Sequence, residues 1–127
     1  MNSRHTHPWT QAKEAGVNRL LRHAARIISE HGWLQGVTVD RRTGRVDIYG
    51  ALCLAAKIPS YHITDEPVED MVRHAPQRQR ALLLAAWDLL DGALQEDPVL
   101  WNDSPGRTVE EVVGALENLA NLLEIAI

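Results

Sequence analysis

Three stretches of this chain repeat their apolar residues at intervals of three and four, and this periodicity constrains the fold more than any other feature. Val17, Leu20, Leu21, Ala24, Ile28 and His31 share one face of a helix running from about Gln11 to His31. Ala81, Leu82, Ala85, Ala86, Leu89, Leu90 and Ala93 form a broad apolar face over Gln77 to Gln95. Val109, Val112, Leu116, Leu119, Leu123 and Ile127 stripe the last segment, widened by Leu122, Ile125 and Ala126. A short apolar run from Ile48 to Lys57 predicts a fourth, almost wholly buried helix, ended by Ile58-Pro59-Ser60. The expected fold is mainly α, a single-domain bundle of about four helices over residues 10–127, behind a flexible N-terminal arm at residues 1–9.

Turn and cap signals punctuate these helices. Thr10 is placed to cap the first, and Gly32 supplies the left-handed residue that ends it. Residues 33–49 change period. Gln35-Gly36-Val37-Thr38-Val39 and Arg45-Val46-Asp47-Ile48-Tyr49 are β-leaning around an Asp40–Gly44 turn, which predicts a short hairpin or an ordered loop. Residues 60–76 hold Pro67 and Pro76 and predict a loop with one helical turn near Val68 to His74. Thr108 and Glu111 have the spacing of a capping box at the start of the last helix.

Composition narrows the function classes. With Cys53 alone, no intramolecular disulfide and no four-cysteine zinc site can form. Neither a signal-peptide core nor an apolar run of membrane-spanning length is present, so a cytoplasmic protein is expected. The net charge of −4 is lopsided: residues 1–45 carry eight Lys/Arg against three Asp/Glu, residues 46–127 five against fourteen. The basic stripe Arg19, Arg22, Arg26, with Arg41, Arg42 and Arg45, invites nucleic acid, but a pI near 5.8 and the lack of a helix-turn-helix signal argue against it. No phosphate loop or dinucleotide fingerprint is present, and no cofactor is expected. His5-x-His7 is a chelating pair without a third ligand near it, so no metal site is expected. Cys53 among Leu52, Leu54 and Ala55 reads as a small buried hydrophobe.

Two places offer candidate site residues. Trp101-Asn102-Asp103-Ser104-Pro105-Gly106-Arg107-Thr108 combines an aromatic anchor, an Asx-type turn and a Pro-Gly corner. With Trp33 it suggests a ligand site: Trp33 and Trp101 as apolar walls, Asn102 and Asp103 as orienting groups, Arg107 as an anion contact. The same residues also make sense as turn chemistry, with Trp101 plugging the core. His31, at a helix C-terminus, with His23 and Glu30, forms the catalytic alternative as an acid/base set. His31 reads equally as a C-terminal cap.

Helix, His31-Gly32-Trp33-Leu34-Gln35-Gly36, Gly44-Arg45-Val46-Asp47, Gly50-Ala51-Leu52 with Ala55-Ala56, then the Trp101–Thr108 element and Glu111-Val112 resemble, in this order, a small-domain family of unknown function found mainly in actinobacteria, their phages and plasmids. The resemblance covers roughly residues 17–122, and Trp-Asn-Asp is its most specific part. The chain departs from it at Lys57, where many members carry Gly, and in its long polar loop at 60–76. The resemblance implies a cytoplasmic helical domain and brings no catalytic residue.

The expected function is therefore a small accessory or binding protein that holds a small polar ligand or peptide, as a homodimer through its C-terminal helix. One alternative is a small natural-product maturation enzyme acting by positioning and acid/base catalysis, since in size and helical content the chain resembles proteins that form lanthipeptide cross-links. Another is a phage or plasmid regulator that works by protein contact.

Overall fold

The structure is a computed structural model and describes residues 8–126, with side chains over 12–124. It holds six helices: α1 Pro8–His31, α2 Ile48–Ala55, α3 Val68–Met71, α4 Gln77–Leu94, α5 Pro98–Asn102 and α6 Val109–Ala126. The four expected helices are α1, α2, α4 and α6. Single 3-10 turns at Ser60–His62 and Val72–His74 flank α3. Residues 1–7 of the expected arm, with His5-x-His7, lie outside the described residues. α1 takes in Pro8 and Trp9, so Thr10, expected as its cap, lies inside the helix.

α1 is the hub on which α6, α2 and α4 pack. Its stripe Val17, Leu20, Leu21, Ala24 and Ile28 is buried, joined by Ala25 and Ile27, while His31 is exposed. α6 runs antiparallel beside it and buries Val112, Leu116, Leu119, Ala120 and Leu123. Asn18 Nδ2 donates to the Ala120 carbonyl at 2.6 Å, and Arg22 pairs with Glu124 at 2.6 Å. The stripe expected to form a dimer is thus spent inside one chain as far as Leu123. Leu122 is 64% exposed, and Ile127 lies outside the described residues. The Thr108–Glu111 capping box is present: Thr108 N–H donates to the Glu111 carboxylate at 2.9 Å, and Glu111 N–H to Thr108 Oγ1 at 3.2 Å.

The expected face of α4 is rotated. Leu83, Ala86 and Leu90 are buried, whereas Ala81, Leu89 and Ala93 are exposed. Residues 81–87 of α4 are apolar without interruption, nearly two turns, so two overlapping stripes satisfy the same period there, and tertiary packing selects the one through Leu83.

Residues 33–47 form an ordered loop rather than a hairpin. Val46 makes isolated bridges on both sides, parallel to Trp33 and antiparallel to Val39. Its N–H donates to the Gly32 carbonyl at 3.0 Å and its carbonyl accepts from Leu34 N–H at 3.2 Å. On the other side Asp47 N–H donates to Thr38 O at 3.1 Å. The β-leaning segment is hydrogen-bonded from two directions at one residue, which leaves no length for a ladder. Gly32, at φ 94°, turns the chain from α1 into this loop.

α2 lies against the loop so closely that a Cβ on Gly50 would collide with the Thr38 carbonyl. Gly50→Ala raises intrinsic helix propensity by about 1 kcal/mol. The collision outweighs that gain because both partners are backbone-anchored. Urea denaturation is expected to show Gly50→Ala as a net destabilisation; a neutral or stabilising result would mean that loop and helix can separate.

Candidate functional site

α5 exists to deliver one side chain. Asp97 caps it, accepting from Val99 N–H at 2.8 Å and Leu100 N–H at 3.3 Å, and Pro98 opens its first turn. Five residues later the helix ends on Asn102, which is fully buried. Its Oδ1 accepts from Trp33 Nε1 at 2.7 Å and from Ile48 N–H at 3.1 Å. Its Nδ2 donates to the Leu34 carbonyl at 3.2 Å and to Asp103 Oδ1 at 2.9 Å. A carboxamide offers two donors and two acceptor positions, and all four are used. Asp103 Oδ1 also accepts from Gly36 N–H at 3.1 Å, and Gln35 Nε2 donates to the carbonyls of Asn102 and Ser104 at 2.9 Å each.

The fold thus brings Trp33, Asn102 and Asp103 together. The expected Asx turn does not account for Asn102, whose side chain reaches loop residues 54 to 69 positions away. Trp101 and Arg107 form a separate pair beside it. The guanidinium lies 4.0 Å from the Trp101 ring centroid, its Nε donates to the Trp101 carbonyl at 2.9 Å, and its Nη1 to Glu111 at 3.2 Å. The guanidinium of Arg107 is therefore already engaged within the chain.

Asp47 adds a group that sequence reasoning did not single out. It is buried, caps α2, and accepts from Gly50 N–H at 2.7 Å. Burial pushes its carboxyl pKa up to about 7, the Asp103 carboxylate adds to the rise, and the Gly50 N–H opposes it. The Asp-x-x-Gly spacing before an apolar helix marks it as a cap, but nothing local indicates its burial.

Asp47 and Asp103 border a depression of about 490 Å³ between residues 36–41 and 63–65. It shares the lining residues Thr38, Asp65 and Val99 with a second cavity of about 590 Å³. The floor of the second is the aromatic pair Tyr49–Trp87, with ring centroids 4.9 Å apart. Asp65, Glu66, Glu69, Asp88, Asp91 and Asp97 rim it, with no Lys or Arg among its lining residues. The Tyr49 hydroxyl donates to the Glu66 carbonyl at 2.6 Å. Arg41, the one cation of the first cavity, is held by the carbonyls of Ser60 and Ile63. Trp33 opens instead onto a cleft of about 700 Å³ between α1 and α6.

The catalytic candidates do not converge there. His31 is exposed, its Nδ1 3.3 Å from the Gly44 carbonyl. Glu30 is exposed, and His23 lies two turns earlier on α1, beside Lys57. Cys53 is buried, and burial pushes its thiol pKa up, which holds it in the unreactive form. Among the described residues, no three His, Cys, Asp or Glu are grouped to hold a metal ion, and no helix is long and apolar enough to cross a membrane.

A family model described as a family of unknown function (DUF6197) matches residues 12–122, close to the span of the resemblance read from the motifs. No curated protein and no solved structure matches the chain.

Two measurements test this geometry. Asn102→Ala strands the buried Trp33 and Ile48 N–H groups and is expected to cost about 3 kcal/mol or more in urea denaturation. Asp47 has a folded pKa raised from 3.8 to about 7, so the native state holds the proton more tightly than the unfolded chain. Its contribution is complete below the unfolded pKa and is lost as pH rises through about 7. Asp47→Asn keeps the cap and is expected to flatten the stability profile between pH 4 and 7 and to be the more stable protein above it. Parallel profiles for the two proteins would disprove the raised pKa.

Proposed function

The chain belongs to this family of unknown function, DUF6197, and we propose that it is a small cytoplasmic binding protein that holds a polar, positively charged ligand or peptide in the trough between α2, α4 and α5. The carrying observation is the cavity of about 590 Å³ floored by Tyr49 and Trp87. An aromatic floor suits an ammonium or guanidinium group, and surrounding carboxylates strengthen the attraction. The neighbouring cavity beyond Val99, bordered by Asp103, gives room for an elongated ligand such as a peptide. In this reading Asp103 orients the ligand, and Trp33, Asn102, Trp101 and Arg107 hold the loops that shape the trough.

A second reading is favoured by Asp47. A carboxyl with a pKa near 7 beside a second carboxylate is the pattern of an acid/base pair. Maturation chemistry on a bound peptide would then run through Asp47 and Asp103 rather than His31, His23 or Glu30. A homodimer through α6 has the outer face at Leu122 available to it.

Calorimetric titration with a Lys/Arg-containing peptide and its acetylated, citrulline-substituted counterpart tests the first reading. The charged peptide is expected to bind and the neutral one at least about tenfold more weakly. Asp88→Lys with Asp91→Lys, on the exposed side of α4, is expected to abolish binding while the fold persists. Equal binding of both peptides, or none of either, would remove the trough as a cation site.

A further inference from the structure

A second concave site, opposite in sign, lies at the other ends of α2 and α4. Its cavity is about 160 Å³ and is lined by Arg19, His23, Lys57 and Gln79 over an apolar floor that includes Leu20 and Leu82. Arg19 and His23 stand one turn apart on α1, so their side chains leave the helix on one face. Lys57 comes from the turn after α2 and Gln79 from the first turn of α4. No acidic residue is among the lining residues. The described ion pairs of the arginines, Arg22–Glu124, Arg73–Glu66 and Arg107–Glu111, involve none of these cations.

Lys57 supplies a second, independent observation. It has φ 70°, in the left-handed region. Its N–H donates to the Leu54 carbonyl at 2.9 Å and Ile58 N–H to the Cys53 carbonyl at 3.1 Å, the bond pair that closes a helix on a left-handed residue. Glycine fills that position without strain, whereas a side chain there is disfavoured. The chain keeps a lysine in a conformation that suits glycine, at the rim of a cavity already lined by an arginine and a histidine. The pKa of His23 is lowered first by burial, then by the charges of Lys57 and Arg26, with Glu30 opposing. Arg19 and Lys57, with no carboxylate among the lining residues, give the cavity its positive character.

We propose that Arg19, His23 and Lys57, with Gln79, form a binding site for a small oxyanion, namely phosphate or the terminal phosphate group of a small molecule. The cavity volume suits one tetrahedral anion, and the polar groups around it converge from three separate parts of the chain, Arg19 and His23 from α1, Lys57 from the turn after α2 and Gln79 from α4. Arg19 offers a planar fork and Lys57 a point charge, while the Gln79 amide donates without adding charge. Anion binding relieves the repulsion among the cations and raises the pKa of His23.

The test uses the full chain in a phosphate-free zwitterionic buffer, titrated with inorganic phosphate and with phenyl phosphate. The site is read by calorimetry and by the His23 imidazole signals in NMR. Saturable one-site binding is expected, with the His23 titration midpoint moving to higher pH in the bound form. Tighter binding of phenyl phosphate assigns the site to a phosphomonoester, and equal binding to the free anion. Lys57→Gly is expected to weaken binding about tenfold while melting at the same or a higher temperature, because it relieves the left-handed lysine. Arg19→Ala is expected to weaken it equally, and Arg22→Ala to leave it unchanged. Failure of both phosphates to saturate would overturn the proposal. So would a Lys57→Gly protein that binds as well as the parent, or a preference for duplex nucleic acid that depends equally on Arg22 and Arg26.

Discussion

The Asn102 carboxamide is the point on which the central non-helical part of the molecule depends. It is a neutral polar group with no exposure, and its burial is tolerable only because all four of its bonding positions are filled. Those partners belong to the loop after α1, to the first residue of α2 and to the residue after α5. None can be withdrawn without stranding another. The loop, the entry to α2 and the end of α5 therefore order as one unit, with Val46 supplying the remaining backbone bonds from both of its edges. A loop with no ladder of its own is made rigid by one side chain from the far end of the sequence.

The same knot explains Asp47. A carboxylate at a helix N-terminus is ordinarily stabilised in its charged form by the free N–H groups of the first turn. Here Thr38 lies directly over that turn, with no room even for a Cβ on Gly50, and the cap is almost wholly buried, at the edge of the depression it borders. Desolvation outweighs the favourable hydrogen bond, and Asp103, held nearby through Asn102, adds like charge. The unusual proton affinity of Asp47 follows from tertiary closure of the loop, while its identity as a cap is purely local.

That distinction sets what the sequence could reveal. The bodies of α1, α2, α4 and α6, the single turn at α3 and the Thr108–Glu111 box follow from contacts within about four residues and are visible as periodicity and spacing, whereas the start of α1 is not, since Thr10 has a cap's chemistry and lies inside the helix. α5 escaped notice because Trp101-Asn102-Asp103 carries strong turn chemistry, although Asp97-Pro98 just before it is a helix start. The face of α4 is ambiguous in sequence because its unbroken apolar run, residues 81–87, has no phase until it meets α1. The hydrogen bonds that join Trp33 to Asn102 and Gly36 to Asp103 span more than sixty residues, and no spacing rule reports such pairs. Tyr49 and Trp87 form the floor of the trough for the same reason: they lie on different helices and meet only after packing.

The charge asymmetry along the chain acquires a spatial meaning through α2 and α4. These helices lie so that the N-terminal end of α2 and the C-terminal part of α4 border the acidic trough, while their opposite ends border the basic cavity. The basic side draws on α1, which carries four of the eight early cations, and the acidic side on residues 65–97, which carry many of the later anions. A net charge of −4 thus averages two concave surfaces of opposite sign. Averaging hides them from any argument based on pI alone, because a ligand responds to the local field inside a cavity and not to the sum. The two surfaces share no lining residue, and each is built on an opposite end of the same helix pair. The most economical physical account of the small domain is a helical frame whose two ends present sites of opposite charge.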